Sequence, residues 1–263
     1  MERIVNFATR THSEKPEAIR CAHCGELVEP KQIGRIWTRG KCECEGATEE
    51  RETAHRLREE ADERREQARR ENALEAAKMG AGLQGGYMDM TFENFDTALQ
   101  PKAYQKAVEF DGTRSLILYS QGFGTGKTHL AVAMLHRWIE QGGGMGHFLH
   151  VPTLLSRIRR TFDQYAEENE FDIMDSIQRA GLVVLDDLGK EKASEWQEMT
   201  LYTLVNYRSV HGLPLVITMN LKPQQLERQI GPANVSRLLG MADFVEMEGL
   251  DYRLKEKRSR RNV

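Results

Sequence analysis

Short hydrophobic runs alternate with segments of helical periodicity in the latter part of the chain. Apolar runs bounded by turn residues predict buried parallel strands. They lie at 116–120, 148–151, 181–186 and 215–219, with a weaker one at 244–247. Helices are predicted at 128–141, in the stretch that carries Leu154, Leu155, Ile158 and Phe162, and at 196–210. Alternating strands and helices indicate an α/β fold, with helices on both faces of a parallel sheet.

A charged segment at 49–72 precedes these elements and contains seven arginines and nine acidic residues. Acid-to-arginine pairs four positions apart, such as Glu60–Arg64, favour a solvated helix. Because the two signs balance, an exposed helical spacer is favoured over an arginine-rich nucleic-acid arm. The glycine-rich run 80–86 then ends the helix and marks a joint. We predict a small cysteine-bearing domain at 1–48, a charged helical linker at 49–87, the α/β domain at 88–255 and a basic tail at 256–263.

Composition narrows the class of protein. The 263 residues include 37 basic and 40 acidic side chains, so there is no global positive field to attract nucleic acid. The longest apolar runs are too short to cross a bilayer, and the N-terminus has no apolar core of signal-peptide length. We therefore expect a cytoplasmic protein with no membrane partner. A histone-like binder and a secreted disulfide scaffold are both excluded.

All four cysteines fall within residues 21–44, as C-x2-C, seventeen residues, and then C-x-C. Two closely spaced pairs can direct four thiolates at one ion, which is the ligand set of a closed structural zinc site. The predicted zinc ligands are Cys21, Cys24, Cys42 and Cys44, with His12 and His23 as substitute ligands. The alternatives are four free thiols or two disulfides, and disulfides are disfavoured without an export signal.

Residues 120–128 read SQGFGTGKT, between a predicted strand and a predicted helix. Glycines let backbone N–H groups surround phosphate oxygens, and a helix N-terminus adds positive potential. Lys127 is expected to reach the β- and γ-phosphates, and Thr128 to ligate magnesium. The alternative is a glycine-rich turn with an exposed lysine, but the strand–turn–helix context favours a nucleotide site. The loop residues expected to contact nucleotide are Gly122, Phe123, Gly124, Thr125, Gly126, Lys127 and Thr128.

Polar side chains follow two of the predicted strands. Asp186 and Asp187 end one strand, and adjacent carboxylates repel each other unless a cation or a water network uses them. Asp186 fits a magnesium-associated position and Asp187 a position that polarises the attacking water; the alternative is turn chemistry in Asp-Asp-Leu-Gly. If the strands are neighbours, Asn220 is expected to bind the γ-phosphate or the water. Otherwise Asn220 is a helix N-cap before Pro223.

The order of these motifs resembles that of the AAA+ ATPases, and among them the DnaC/DnaI-type helicase loaders and the related IstB transposition ATPases. The matching segments are 124–131 (GTGKTHLA), 184–189 (VLDDLG), 217–221 (ITMNL), 235–238 (VSRL) and 251–253 (DYR), with 91–95 (TFENF) as a lead-in. The resemblance covers about residues 88–255. It implies a Rossmann-like, parallel-sheet P-loop ATPase domain that uses ATP/ADP and Mg²⁺.

The resemblance also implies roles for individual residues. His129 joins the nucleotide contacts, Arg237 is an arginine finger acting on the ATP of a neighbouring subunit, and Arg253 is a sensor-2 arginine. Gln121 replaces the first consensus glycine, and Asp187 stands where many AAA+ proteins have glutamate, so slow hydrolysis is expected. The cysteine-bearing domain is similar to the domain of DnaI-type loaders that contacts the replicative helicase.

Three functional hypotheses follow from these features. The favoured one is an ATP-dependent loader, whose zinc domain binds a hexameric replicative helicase while a homo-oligomer of ATPase domains holds single-stranded DNA. The second is an IstB-like transposition regulator that assembles on duplex DNA. The third is a nucleotide-binding adaptor with little hydrolysis.

Two segments are candidate DNA contacts. Arg157, Arg159 and Arg160 could bind phosphates, whereas the nearby Phe162 and Tyr165 are expected in a core stripe with Leu154, Leu155 and Ile158. The basic segment 255–261 is the second candidate.

Overall fold

The structure, a computed structural model, describes residues 14–163, 165–190, 194–249 and 251–252. The chain divides into two compact units between Glu71 and Asn72. The predicted limits at 48/49, 87/88 and 255/256 stay predictions. His12, Arg253 and the basic tail 256–263 lie outside the described residues.

The first unit contains two short antiparallel hairpins. They are formed by β1 (Ile19–Arg20) with β2 (Leu27–Val28) and by β3 (Lys31–Ile33) with β4 (Ile36–Thr38). Gly25 and Gly34 take positive φ in the two turns, a conformation that favours glycine. Within residues 14–44, Pro30 is the single buried residue. The hairpins therefore have almost no hydrophobic core of their own.

A long helix, α1, spans Glu45–Gly80 and includes the helix that was predicted over 49–72. Its side chains are mostly exposed and charged. Ion pairs four residues apart support it, such as Glu66–Arg70 with 2.7 Å between carboxylate oxygen and guanidinium nitrogen. The helix ends inside the glycine-rich run, where the sequence predicted the break.

Five parallel strands form the sheet of the second unit, and all five were predicted. They are β5 (Ser115–Tyr119), β6 (Gly146–His150), β7 (Leu182–Leu188), β8 (Leu215–Met219) and β9 (Ala242–Glu246). Their order across the sheet is β6-β7-β8-β5-β9. Strand β7 therefore lies directly beside β8, so Asn220, which follows β8, lies next to Asp186 and Asp187 at the end of β7.

Seven helices surround this sheet in the described part of the unit. They are α2 (Pro101–Val108), α3 (Lys127–Glu140), α4 (Val151–Arg160), α5 (Glu170–Arg179), α6 (Glu195–Val210), α7 (Pro223–Ile230) and α8 (Pro232–Met241), with a 3₁₀ turn at Gly85–Tyr87. Over the ranges that the structure describes, no helix combines the length and hydrophobicity needed to cross a bilayer.

Both faces of the sheet are buried, which explains the continuous apolar runs of its strands. Side chains alternate between faces along a strand. Leu116 and Leu118 pack with residues of α2 and α3, whereas Ile117 packs with residues of α4, α5 and α6. The sheet is thus the middle layer of an α/β sandwich, as predicted.

Four of these helices, α2, α5, α7 and α8, were not predicted from the hydrophobic pattern. Three of them begin with a proline in the first turn, at Pro101, Pro223 and Pro232. Proline is suited to that position because its φ is already helical and its missing N–H would have no partner there. These prolines were the sequence signal for helix starts.

The predicted core stripe is wrong for its two aromatic residues. Leu154, Leu155 and Ile158 are buried as expected, but Phe162 is 58% exposed and Tyr165 is 84% exposed. Helix α4 ends at Arg160, so the residues that follow it leave the buried helical face. Phe162 instead packs edge-to-face on Trp196, with 5.9 Å between ring centroids.

Candidate nucleotide-binding site

The glycine-rich loop lies between the carboxyl end of β5 and the N-terminus of α3. Gly124 and Gly126 have φ of 65° and 93°, a region that glycine enters without strain. At Gly126 a Cβ atom would come within 2.8 Å of the Phe95 ring. Gln121, in place of the first consensus glycine, is exposed, so its side chain does not fill the loop.

Lys127 is the first residue of α3, and its side chain turns back onto the loop. It is 7% exposed, and its Nζ donates to the Gly122 carbonyl at 3.1 Å, to Ser120 Oγ at 3.2 Å and to Thr125 Oγ1 at 3.3 Å. A helix N-terminus and a buried ammonium group both attract anions. The loop therefore concentrates positive potential where a phosphate chain would bind.

Asp186 lies near the end of β7, facing the first turn of α3. Its Oδ1 accepts hydrogen bonds from Thr128 Oγ1 at 2.8 Å and from Thr218 Oγ1 at 2.7 Å. Burial raises the pKa of this carboxyl group, while the Thr218 and Thr128 donors oppose that rise. A buried carboxylate beside a threonine hydroxyl is an oxygen ligand pair of the kind that Mg²⁺ prefers. These residues fit the predicted magnesium ligands.

Asp187 occupies an unusual backbone position at the end of the same strand. A β-bulge interrupts the pairing of β7 with β8 between Leu185 and Leu188, and Asp187 has φ of 61°, the one positive φ among the described non-glycine residues. Its N–H donates to Thr218 Oγ1 at 3.0 Å. Strained conformations of this kind are common at functional sites. The bulge turns the Asp187 carboxylate toward the cavity.

Three side chains surround the Asp187 carboxylate. Asn220 Nδ2 donates to Oδ1 at 3.2 Å, Lys190 Nζ to Oδ2 at 3.2 Å, and His150 Nε2 lies 3.6 Å from Oδ2. The buried Oδ1 atom of Asn220 has no hydrogen-bond partner among the described residues. An acceptor left open beside a carboxylate suits a water molecule or another donor.

A cavity of about 500 Å³ opens at the carboxyl ends of these strands, where α/β proteins bind ligands. Most of the predicted site residues line it. They are Phe123, Gly124, Thr125, Gly126, Lys127, Thr128, His129, Asp186, Asp187 and Asn220. Gly122 does not line the cavity, and its carbonyl instead accepts the hydrogen bond from Lys127. Arg253 lies outside the described residues.

Sequence reasoning missed several residues of the site. Thr218 bonds to both aspartates from the neighbouring strand, and its signal was a polar residue two positions before Asn220 in an apolar run. His150 ends β6, at the same edge of the sheet. Tyr87, Asn94 and Phe95 also line the cavity. His129 connects to this segment, since its Nε2 lies 2.7 Å from the Thr91 carbonyl oxygen.

Arg237 lies on α8 and is not among the residues that line the cavity. Its guanidinium contacts two side chains of α6 within the same chain. This placement is compatible with action on a nucleotide bound by another copy, and the role stays a prediction.

The four cysteines come together in the first unit. Their sulfur atoms all lie within 4.8 Å of one another, with 3.6 Å between Cys21 and Cys44 and 3.4 Å between Cys24 and Cys42. Four sulfurs at the Zn–S bond length would stand about 3.8 Å apart in a tetrahedron. Backbone N–H groups of Cys24 and then His23 lower the pKa of Cys21 to about 6, whereas the pKa values of Cys24 and Cys44 are raised, so the cluster by itself favours one thiolate. The cluster fits a zinc ion, and the cysteines are not disulfide-bonded.

The parallel sheet, the phosphate loop and the paired carboxylates define the class of protein: this is an AAA+ P-loop ATPase fold with an N-terminal cysteine cluster. The sequence model of the IstB-like ATP binding protein family matches residues 44–260, and the chain belongs to that family.

Individual relatives are similar over much of the chain. The replicative helicase loader DnaC of Escherichia coli (strain K12) is 24% identical over 180 residues, which are 66% of this chain and 73% of DnaC. A putative ATP-binding protein in an insertion sequence of Mycobacterium tuberculosis is 26% identical over 216 residues, 78% of this chain and 81% of that protein. The crystal structure of the DnaC helicase loader has a TM-score of 0.55 at 23% identity, covering 63% of this chain and 100% of that chain.

Proposed function

We propose that this protein is an ATP-dependent loader of the replicative DNA helicase onto single-stranded DNA in replication initiation. The observation that carries the proposal is the likeness to the helicase loader DnaC, which extends over 73% of that relative. ATP binding and hydrolysis switch the affinity of the protein for helicase and DNA. The copies that bind one helicase form a homo-oligomer.

Different residues of the cavity bind the phosphates, bind magnesium and orient the attacking water in this proposal. Backbone N–H groups of the loop and the Lys127 ammonium bind the β- and γ-phosphates. Thr128 and Asp186 would hold a magnesium ion, which would neutralise charge on the phosphate oxygens. Asp187 and Asn220 orient a water molecule, whose oxygen attacks the γ-phosphorus while one of its protons passes to the Asp187 carboxylate. The bond from that phosphorus to the β–γ bridging oxygen breaks, and ADP leaves with the electron pair.

In this proposal the zinc-binding unit is the helicase contact and α1 is its spacer. Hairpin residues Leu27 and Ile33 are 56% and 68% exposed, so the unit presents apolar surface that a partner could cover. The four sulfur ligands would hold the two hairpins in a fixed arrangement.

A second candidate is a transposition regulator that assembles on duplex DNA. The insertion-sequence relative favours it, because that likeness covers 78% of this chain, compared with 66% for DnaC. The two candidates share the ATPase chemistry and differ in the nucleic acid and in the protein partner.

ATP turnover of the purified full-length protein distinguishes the candidates. We would measure it with the protein alone, with single-stranded DNA, with duplex DNA and with the replicative helicase of the source organism. Stimulation by single strands, together with a stable helicase complex that Cys21→Ser/Cys24→Ser abolishes, supports the loader. Stimulation by duplex without helicase binding supports the transposition regulator.

Two active-site variants test the ATPase assignment. Lys127→Ala is expected to lose nucleotide binding, because the phosphates lose their buried cation. Asp187→Asn is expected to keep nucleotide binding and to lower turnover by about 10²-fold or more. Asp243→Asn is the matched control, since Asp243 is an exposed aspartate of β9 that pairs with Arg114 and does not line the cavity. Nucleotide binding without turnover under every condition would instead indicate the adaptor.

A further inference from the structure

Arg237 is held by its own chain in a defined orientation. Its Nε donates to Asn206 Oδ1 at 2.8 Å and its Nη2 donates to the Tyr202 hydroxyl at 2.8 Å, while Nη1 lies 3.3 Å from the Ala233 carbonyl oxygen. The guanidinium carbon also stands 4.5 Å from the centroid of the Tyr202 ring. These contacts use three of the five N–H donors of the guanidinium group.

The two side chains act from one face of one helix. Tyr202 and Asn206 are four residues apart on α6, so they lie one above the other. Together they fix the plane of the guanidinium group through a ring contact and two hydrogen bonds along its edge. An arginine on an exposed helix would otherwise sample many rotamers, at an entropic cost when it must bind.

The backbone of α8 is itself anchored to α6. Asn234 is fully buried, and its Nδ2 donates to the Glu198 carbonyl at 3.1 Å and to the Ile230 carbonyl at 2.7 Å. Glu198 also packs against Gly231, where a Cβ atom would clash with its carboxylate. Helix α6 therefore sets both the position of α8 and the direction of Arg237.

We propose that Tyr202 and Asn206 are positioning residues that hold Arg237 for action on a nucleotide bound by a neighbouring copy of this chain. The inference rests on the proposed function and on the predicted role of Arg237 as an arginine finger. The guanidinium neutralises charge that develops on the γ-phosphate of the neighbour, and its rate effect depends on placement, because small displacements of a catalytic group lower rates strongly.

The test measures ATP turnover and nucleotide affinity of the full-length protein, under the condition that gives wild-type turnover. Arg237→Ala is expected to lower turnover by about 10³-fold or more. Tyr202→Phe and Asn206→Ala are each expected to lower it about 10-fold with unchanged nucleotide affinity. Adding either change to Arg237→Ala is expected to lower turnover no further, since both act through that arginine.

Mixing two variants in one assembly distinguishes loss of Arg237 positioning from damage to the fold of the subunit. Asn206→Ala subunits keep an intact nucleotide site, and Lys127→Ala subunits keep an intact Arg237. In an equal mixture, about one quarter of the head-to-tail interfaces place an intact nucleotide site of one subunit next to a correctly held Arg237 of its neighbour. Turnover of the mixture should therefore rise well above the sum of the turnovers of the two separate proteins. Tyr207→Phe and Thr203→Ala are the matched controls on α6; the Tyr207 ring stacks on His211, and the Thr203 hydroxyl bonds to the Met199 carbonyl.

The outcomes are distinct. If Arg237→Ala turns over like the wild type, the finger assignment within the proposed function fails. If Arg237→Ala is inactive while Tyr202→Phe and Asn206→Ala remain fully active, the positioning inference alone is overturned. The positioning inference is also overturned if mixing with Lys127→Ala subunits restores no turnover to Asn206→Ala subunits.

Discussion

Asp186, a proposed magnesium ligand, is a buried charge that lowers the stability of the fold. Its side chain is only 4% exposed, and burial raises the pKa of the carboxyl group despite the hydrogen bonds from Thr218 and Thr128. A raised pKa means that ionisation costs more in the folded than in the unfolded state. The carboxylate therefore destabilises the protein at neutral pH, until a bound cation compensates its charge.

The buried charge of Asp186 should be measurable as a loss of thermal stability. We expect Asp186→Asn to raise the melting temperature at pH 7 by about 2–4 °C, the shift that corresponds to about 1 kcal/mol in a domain of this size. The amide keeps an acceptor oxygen for Thr128 and Thr218 but removes the buried charge. Magnesium-dependent ATP binding should be lost at the same time. Thermal unfolding and nucleotide binding measure the two effects.

The pH dependence of the stability gain shows whether it arises from the buried charge of Asp186. The stability gain should be full at neutral pH, shrink as pH falls through the raised pKa of the folded protein, and vanish below the ordinary aspartate value of 3.8, where the wild-type carboxyl group is protonated in both states. Asp243→Asn, on the exposed surface, is the control. An Asp186→Asn protein whose melting temperature equals that of the wild type across this pH range would contradict the prediction.

At the scale of elements, Arg208 joins parts of the second unit that are distant in sequence. It projects from α6, is fully buried, and donates to carbonyl groups after α5 and before β8, among them Ala180 at 2.8 Å and Pro214 at 2.6 Å. Burial lowers its pKa to about 10, which leaves it charged at neutral pH. One guanidinium thus satisfies the carbonyl groups where the strands β7 and β8 begin.

We predict that Arg208→Met lowers the free energy of unfolding by about 3–5 kcal/mol, because several buried carbonyl groups lose their donor. Arg208→Lys should recover little of the loss, since a single ammonium group cannot reach the same set of acceptors. Arg179→Met on α5 is the control, because Arg179 is exposed and pairs with Asp175; its effect should stay within about 0.5 kcal/mol. Denaturant unfolding measures all three, and equal effects of Arg208→Met and Arg179→Met would refute the assignment.

At the scale of the whole molecule, the two units differ in what can stabilise them. The second unit buries apolar residues on both faces of its sheet. The hairpins of the first unit are two or three residues per strand, with Pro30 as the buried residue within 14–44. Strands this short and exposed are not stable alone in water. A metal ion on the four cysteines would supply stability that these strands lack.

We therefore predict that removing metal from the cysteine cluster unfolds residues 14–44 and leaves the second unit folded. Hydrogen exchange should become fast at the amides of Cys21 and Gly25, which bond to the Glu26 and Cys21 carbonyl groups, while exchange in the sheet stays slow. Cys24→Ser should reproduce the effect without a chelator, and Glu43→Gln, at an exposed position between Cys42 and Cys44, is the neighbouring control. Retained protection at those amides in metal-free protein would show that the hairpins do not depend on the ion.

The sequence predicted features that depend on residues close together in the chain. Buried parallel strands appear as short apolar runs because both of their faces are covered, so all five strands could be identified locally. The phosphate loop, the adjacent Asp186 and Asp187, and the two cysteine pairs are likewise compact patterns whose chemistry depends on residue type and spacing. Gly122 does not itself line the cavity, and its carbonyl group accepts a hydrogen bond from the Lys127 ammonium group.

Tertiary structure decided what depends on distant residues. The order of the strands brings Thr218 and Asn220 beside the two aspartates, more than thirty positions away in the chain, and it brings His150 to the same carboxylate from β6. The end of α4 at Arg160 leaves Phe162 on the surface, although its spacing suggested the core. Tyr202 and Asn206 meet Arg237 only because α8 packs on α6. Local patterns therefore determined the strands of the sheet and the chemical groups, and packing alone determined which groups act together.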